Sequence, residues 1–441
     1  MKIKALILFV IGFCAYSQAQ NPIIRNQYTA DPTVRVFNDT LYLYCSHDIP
    51  TPDDYSRKDW FCMHDYHVFS SVDLIDWKDH GVQFSQDDVD WVKRRSYSMW
   101  APDCVEVNGI YYLYFPAVAK EAEKDEIFGV GVATSKNPQG PFVPLQYRIE
   151  GIKGIDPGVF IDDDGKKYIY WAQEGLHGAK LDDSMIRLAG MDSLLIENRE
   201  GAYKEAPFVF KRQGKYYLTY ACQMGPAEAL VYAVGTNPLG PFDYKGVIMD
   251  IIPKPLCWTN HHSIVQYNGK WYLFYHHNDY SPNRDMLRSV RVDSLAFDND
   301  GSIRKVTPTL RGVGQTKADS KIQIDRYSEL AGTGASINFV NADRPFDGWY
   351  VTLSKPDDVV RYDNVTFDGG KYRTVYLRYR SRNNTKINLS IGKKNSVISL
   401  DAKTDWVISQ IPIEEATDGI FDISLQSKSG DTDIDWIYFA H

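Results

Sequence analysis

The sequence predicts an all-β protein, a five-bladed β-propeller followed by a β-sandwich of jelly-roll type, and three observations predict it. One phrase recurs five times: a Pro or His position is followed roughly ten residues later by an aromatic-aliphatic pair, with a turn between. Its copies lie roughly 50 to 70 residues apart, which suits a four-stranded blade with loops and is too long for a solenoid coil. Aromatic residues make up 14% of the 441-residue chain, and short strand-like runs alternate with Gly, Pro, Asn and Asp, with nothing resembling a long amphipathic helix.

The five copies are Asp31-Pro32 with Leu41-Tyr42-Leu43, Ala101-Pro102 with Tyr111-Tyr112-Leu113, Asp156-Pro157 with Tyr168-Ile169, Glu205-Ala206-Pro207 with Tyr216-Tyr217-Leu218, and His262-Ser263 with Trp271-Tyr272-Leu273. Turns such as Asn108-Gly109, Asp164-Gly165, Gln213-Gly214 and Asn268-Gly269 make each copy a strand, a hairpin and a second strand. Asn137-Pro138 with Gly140-Pro141-Phe142 is echoed by Asn237-Pro238 with Gly240-Pro241-Phe242, so two blades end alike. A radial propeller brings the equivalent point of every blade to one axis. Asp31, Asp156, Glu205 and His262 occupy that point in four blades, and Trp100 stands just before it in the fifth.

The ends of the chain read differently. Met1 to Gln20 has the pattern of a signal peptide, with Lys2 and Lys4, an apolar run from Ala5 to Ala15, and Ser17-Gln18-Ala19 as a small-x-small cleavage site, so a periplasmic or secreted protein is expected. The apolar run is too short to span a membrane, and Phe13 before Cys14 disfavours a lipoprotein. The propeller is expected over residues 21–312, a Gly-containing linker over 313–320, and the sandwich over 321–441, where alternating segments such as Tyr372 to Tyr379 appear. A net charge of -8 without a Lys/Arg stripe excludes a nucleic-acid footprint and fits a neutral or polar ligand. The five cysteines after the signal are odd in number and irregular in spacing, which suits buried thiols rather than disulfides or zinc fingers.

Three carboxylates on one axis point to glycosidic bond cleavage. One acid protonates the leaving oxygen, a second activates water or attacks the anomeric carbon, and a third nearby raises the pKa of the first. Each acid beside a Pro, taken alone, reads equally well as a turn residue held by backbone amides. Three in matching register do not, because crowding unneeded like charges is costly.

The ordered set Ala30-Asp31-Pro32, Trp100-Ala101-Pro102, Ile155-Asp156-Pro157-Gly158-Val159, Glu205-Ala206-Pro207 and His261-His262-Ser263 closely resembles family 43 glycoside hydrolases, over about Asn21 to Gly312. The resemblance implies a five-bladed propeller that hydrolyses with inversion, with Asp31 as general base, Glu205 as general acid and Asp156 tuning and orienting Glu205. Inversion carries an expected base-to-acid separation of about 6.5–9.5 Å. It also implies substrate contacts at Trp100, Arg284 and His47, and places His262 either at the pocket base, near a calcium ion in some members, or in the core. The tail resembles family 6 carbohydrate-binding modules through Ile322-Gln323-Ile324-Asp325, the stretch from Asp358 to Val365, and Asp435-Trp436-Ile437-Tyr438-Phe439. That resemblance admits a structural calcium at Asp325 and Asp435, and makes Trp349 and Trp406 either sugar-stacking or fold-supporting residues.

The expected activity is removal of terminal α-L-arabinofuranosyl or β-D-xylosyl residues from plant polysaccharide or oligosaccharide, with no cofactor required for the chemistry. Loops from Asp48 to His64 and from Glu121 to Ile127 are long enough to close a pocket, which favours release of one sugar. Two alternatives are an endo-acting arabinanase or xylanase on the same scaffold and a non-hydrolytic glycan-binding protein.

Overall fold

A computed structural model describes residues 20–53, 55–122, 127–197 and 202–441. The expected signal peptide lies almost wholly outside the described residues, and no helix among them is long and apolar enough to cross a membrane. The all-β expectation holds: the described residues contain strands and two 3-10 turns, and no α-helix.

Five antiparallel sheets follow one another, each a simple meander. They are β1 (Ala30–Phe37), β2 (Thr40–Asp48), β3 (Met63–Ser71) and β4 (Lys78–Ser85); β5 (Asp103–Val107), β6 (Ile110–Val118), β7 (Phe128–Ser135) and β8 (Val143–Arg148); β9 (Ile155–Ile161), β10 (Lys167–Ala172), β11 (Gly175–Leu181) and β12 (Ser193–Glu197); β13 (Lys204–Arg212), β14 (Lys215–Gln223), β15 (Glu228–Gly235) and β16 (Phe242–Met249); and β17 (His262–Tyr267), β18 (Lys270–His277) and β19 (Ser289–Leu295). The turns that join first to second strands carry the left-handed residues that tight hairpins need, as in Asn108-Gly109 (φ 53° and 78°) and Asn268-Gly269 (φ 48° and 75°).

The sheets close on one another through apolar layers. Val68 and Phe84 of the first meet Leu113 and Phe115 of the second; Tyr114 and Val132 meet Val159 and Trp171 of the third; Tyr170 and Leu176 meet Val209 and Leu218 of the fourth; Phe208 and Leu230 meet Ile264 and Tyr275 of the fifth. The circuit ends where it began, with Phe274 and Val292 of the fifth sheet against Val34 and Leu43 of the first. Near the centre, Arg35 of β1 grips Asp103 of β5 (2.6 Å), and the same carboxylate accepts the Val159 N–H of β9 (2.6 Å).

The fifth sheet has three strands where four were expected, and the chain's own beginning fills the gap. The Ile23 N–H donates to Val290 O and the Thr29 N–H to Arg288 O, each at 2.9 Å, while the Asn21 side chain brackets Val292 by donating to its carbonyl (3.0 Å) and accepting from its N–H (2.8 Å). This segment is pinned along β19, which removes an exposed edge.

Residues 316–440 form two six-stranded sheets around a separate apolar core that includes Tyr362, Leu377, Ile423 and Phe439. Buried contacts join this unit to the ring. Arg326 donates to Asn21 O (2.8 Å) and Tyr280 Oη (3.1 Å), and Trp349 stacks on Tyr280 with 5.0 Å between ring centroids.

Candidate active site

The carboxylates reach a common space because the inner strands are kinked at matching points. Asp31 and Asp156 each have left-handed backbone (φ 51° and 57°), as does Ala206 (φ 55°) immediately after Glu205. In each case the register with the neighbouring strand slips beside that residue: between Ala30 and Thr33, opposite Asp156 between Tyr170 and Ala172, and between Glu205 and Phe208. A bulge of this kind re-aims a side chain. Strained backbone recurring at three equivalent places marks a site the rest of the fold holds in position.

Asp31, Asp156 and Glu205 line one cavity of about 740 Å³, together with Trp100, His261 and Arg288. Its wall is aromatic and basic. Arg57, Trp60 and Phe61 come from the loop between β2 and β3, and Ile127 and Phe128 from the start of β7. Arg57 lies over the Trp60 ring at 3.5 Å, and Phe61 meets Trp258 edge-on at 5.7 Å. The half-buried Trp100 packs against Phe128 at 4.8 Å.

The acids sit in opposite electrostatic settings. Burial alone would raise the pKa of Asp31, but the Arg288 guanidinium, donating to Oδ1 at 2.8 Å, outweighs it and holds the carboxyl well below the usual carboxylate range. Ser46 Oγ donates to Asp31 Oδ2 at 2.8 Å. Arg288 is itself fixed by Asp48, which accepts two guanidinium hydrogen bonds of 2.9 Å. Glu205 is pushed well above its ordinary value, first by burial, then by the neighbouring Glu228 carboxyl with which it shares a hydrogen bond. Burial pushes Glu228 up as well, to about 8, but its Oε2 accepts the Asn260 N–H at 2.8 Å, which favours its charged form, so of the two acids Glu205 holds its proton more firmly. Asp156 is also raised well above the usual range, by burial and by the charges of Glu205 and Asp31, and it accepts the Ala206 N–H at 2.9 Å. One carboxylate stays ionised beside a carboxylic acid that stays protonated, which is the division of labour an acid–base pair requires.

Three candidate substrate contacts fall outside the cavity wall. His262 is 1% exposed, shares a 2.7 Å hydrogen bond with Thr219 Oγ1, and is held neutral by burial, its pKa pushed down to about 3. Its Nδ1 is buried without a hydrogen-bond partner, and the cavity wall carries His261 in its place, with Nδ1 3.9 Å from Asp156. Arg284 is exposed on a loop and borders a separate small depression with Asp59 and Met286. The arginines of the cavity are Arg57 and Arg288. His47 lies on β2 between Ser46 and Asp48, whose side chains turn inward to Asp31 and Arg288; strand alternation sends His47 the other way, toward Asp65 and His67. In the second unit Asp435 pairs with Arg378, Arg326 lies 3.7 Å from Asp325, and Asp325 Oδ1 is buried without a hydrogen-bond partner. Trp349 is buried, with Arg326 over its ring at 3.9 Å, and Trp406 lies within 5 Å of both Arg378 and Arg380, so the fold-supporting reading suits both.

Arg288 and Glu228 escaped the sequence reading because neither belongs to the repeated phrase. A signal was present for Glu228, a charged residue inside the apolar run Ala227 to Val231, since a charge enters a core only with a partner; Arg288, beside Ser289 and Arg291, carries no such mark. The five described cysteines are free, and all but Cys222 are buried.

The sequence profile of glycosyl hydrolases family 43 matches residues 19–303. A xylosidase/arabinosidase of Humicola insolens is 38% identical over 334 residues, covering 64% of this chain and 98% of that one. A β-xylosidase of Xylanibacter ruminicola is 37% identical, with 64% and 98% covered. Among solved structures, a family 43 β-xylosidase/α-arabinofuranosidase from a compost microbial metagenome, in complex with xylotriose, superposes with a TM-score of 0.59 at 37% identity, covering 66% of this chain and 98% of that one.

Proposed function

The chain belongs to glycosyl hydrolases family 43, and from that membership we propose that Asp31, Asp156 and Glu205 hydrolyse the glycosidic bond with inversion at the anomeric carbon. It is a glycoside hydrolase that removes terminal xylosyl or arabinosyl residues, as the names of its relatives indicate. The observation that carries the assignment of roles is the meeting of three acids from three sheets in one cavity with opposed protonation states.

Glu205 gives its proton to the glycosidic oxygen as the C–O bond breaks. Asp31 takes a proton from the water whose oxygen attacks the anomeric carbon from the opposite face. Asp156, tied to the Ala206 N–H beside Glu205, orients the acid. Trp100 and the aromatic wall give apolar faces for a sugar ring. The cavity volume and the wall built from the first long loop support release of one sugar from a chain end of plant arabinoxylan or arabinan.

On this reading the five sheets are the blades of a propeller spanning residues 21–312, its fifth blade completed by the opening segment. The β-sandwich of carbohydrate-binding-module type begins earlier than the expected residue 321, since Thr316 and Lys317, within the expected linker 313–320, pair with Val365 and Thr366 of its sheet. Residues 1–20 direct export to the periplasm or beyond.

Purified protein assayed on aryl β-xyloside, aryl α-arabinofuranoside and xylo-oligosaccharides, with products identified, tests the function. Monosaccharide release that vanishes in Asp31→Asn is the expected result; sugar binding without release would support a lectin instead, and internal cleavage an endo-enzyme.

A further inference from the structure

On the side of β2 and β3 that faces away from the catalytic cavity, three side chains converge that the hydrolysis does not use. His47 Nδ1 lies 2.9 Å from Asp65 Oδ1, and His67 Nε2 lies 3.7 Å from the same oxygen. One donor atom from each of the three falls within 4.8 Å of the others, and the two imidazole rings meet edge-on at 4.9 Å. We propose that His47, Asp65 and His67 form a binding site for a zinc-class divalent cation.

The backbone builds the convergence. Asp65 and His67 are two apart on β3 and share a face, while the pairing of β2 with β3 shifts between Ser46 and Asp48, placing His47 opposite them. Zinc bonds of about 2.0–2.2 Å at tetrahedral angles set neighbouring donor atoms about 3.3 Å apart, and the separations of 2.9 and 3.7 Å bracket that value. The donor set, two imidazoles and a carboxylate, suits zinc and its neighbours; calcium and magnesium select oxygen alone.

The surroundings are those of an oriented site. Asp79 Oδ1 faces His67 Nδ1 at 3.2 Å, which places the ring proton there and turns the Nε2 lone pair toward Asp65. The Gln27 side-chain nitrogen stands 3.1 Å from this Nδ1, so the amide must turn over for its oxygen to accept the ring proton. The second oxygen of Asp65 is 3.5 Å from His64, whose far nitrogen faces Asp87 at 3.2 Å. The three donor side chains are 22%, 12% and 9% exposed, so a fourth position opens to water.

The test uses tag-free full-length protein stripped with chelator and titrated calorimetrically with zinc chloride, then with calcium chloride. One zinc per chain and no calcium heat is expected, with visible absorption of tetrahedral type when cobalt chloride replaces zinc. His47→Gln and His67→Gln should lose the stoichiometric site, and Asp79→Asn, which removes only the orienting carboxylate, should weaken binding about 10–100-fold. His47 is the most exposed donor, so His47→Gln decides the matter should His67→Gln not fold. Hydrolysis of aryl xyloside should be the same in stripped and loaded enzyme. No zinc uptake by the unmodified chain overturns the proposal, as does uptake untouched by His47→Gln, which would point to the cavity acids and would be accompanied by slowed hydrolysis.

Discussion

Glu205 and Asp31 lie in one cavity, yet their surroundings push them in opposite directions, and the consequences are measurable. Glu205→Ala removes the proton donor, so turnover on xylo-oligosaccharides should fall about 10²–10⁴-fold, while aryl substrates with acidic leaving groups should lose far less. Equal losses on both, read from kcat/KM, would show that Glu205 is not the acid. The pH profile carries a second test. Glu205 works protonated, so activity persists below its raised pKa and is lost as pH rises through it. Removing the charge of Glu228 in Glu228→Gln lowers that pKa, so the alkaline limb should move toward lower pH; an unmoved limb would mean that Glu228 does not govern Glu205. The residue scale is also where the sequence was least legible. The three acids stood out because they repeat in register; His262 shares that register but was left open between pocket and core, and His47 rested on resemblance alone. A strand turns each successive side chain to the opposite face, so a neighbour of a pocket residue is the position least suited to share its pocket.

At the scale of the element, the inner strands bring the carboxylates together through their bulges and their close approach. β9 and β13 run so near that a Cβ added at Gly158 would stand 2.3 Å from Pro207 O, a backbone atom that cannot step aside. Gly158→Ala should therefore push these strands apart, displace Asp156 from the Ala206 N–H, and cost about 1–3 kcal/mol of stability together with much of kcat. Urea unfolding and steady-state kinetics on the variant check both; an unaltered kcat would show that the spacing of β9 and β13 does not set the site. The sequence made the hairpins plain, because Asn-Gly and Gln-Gly turns between aromatic runs have one backbone solution. It did not disclose the bulges, since left-handed Asp31 and Asp156 precede proline, where the backbone ordinarily prefers an extended form. That departure is itself the mark of function.

At the scale of the whole molecule, the first five sheets form a ring whose closure depends on residues 21–29. Asn21 is buried and holds Val292 from both sides, so Asn21→Ala strands a buried N–H and should cost about 1–3 kcal/mol in urea unfolding, where the exposed Asn283→Ala should cost nothing measurable. Five repeats in the sequence announced five sheets, because repeated units bury their faces only against one another. The role of residues 21–29 was hidden, since an irregular segment has no periodicity to read. Closure has one chemical purpose, to let an acid and a base from distant parts of the chain act on opposite faces of a single sugar. Proton NMR of the first product released from an aryl β-xyloside tests this most directly. The account predicts α-xylose appearing first and mutarotating to the mixture, because water activated by Asp31 attacks opposite the leaving group protonated by Glu205. β-Xylose appearing first would contradict it, since retention requires a carboxylate that bonds to the sugar itself.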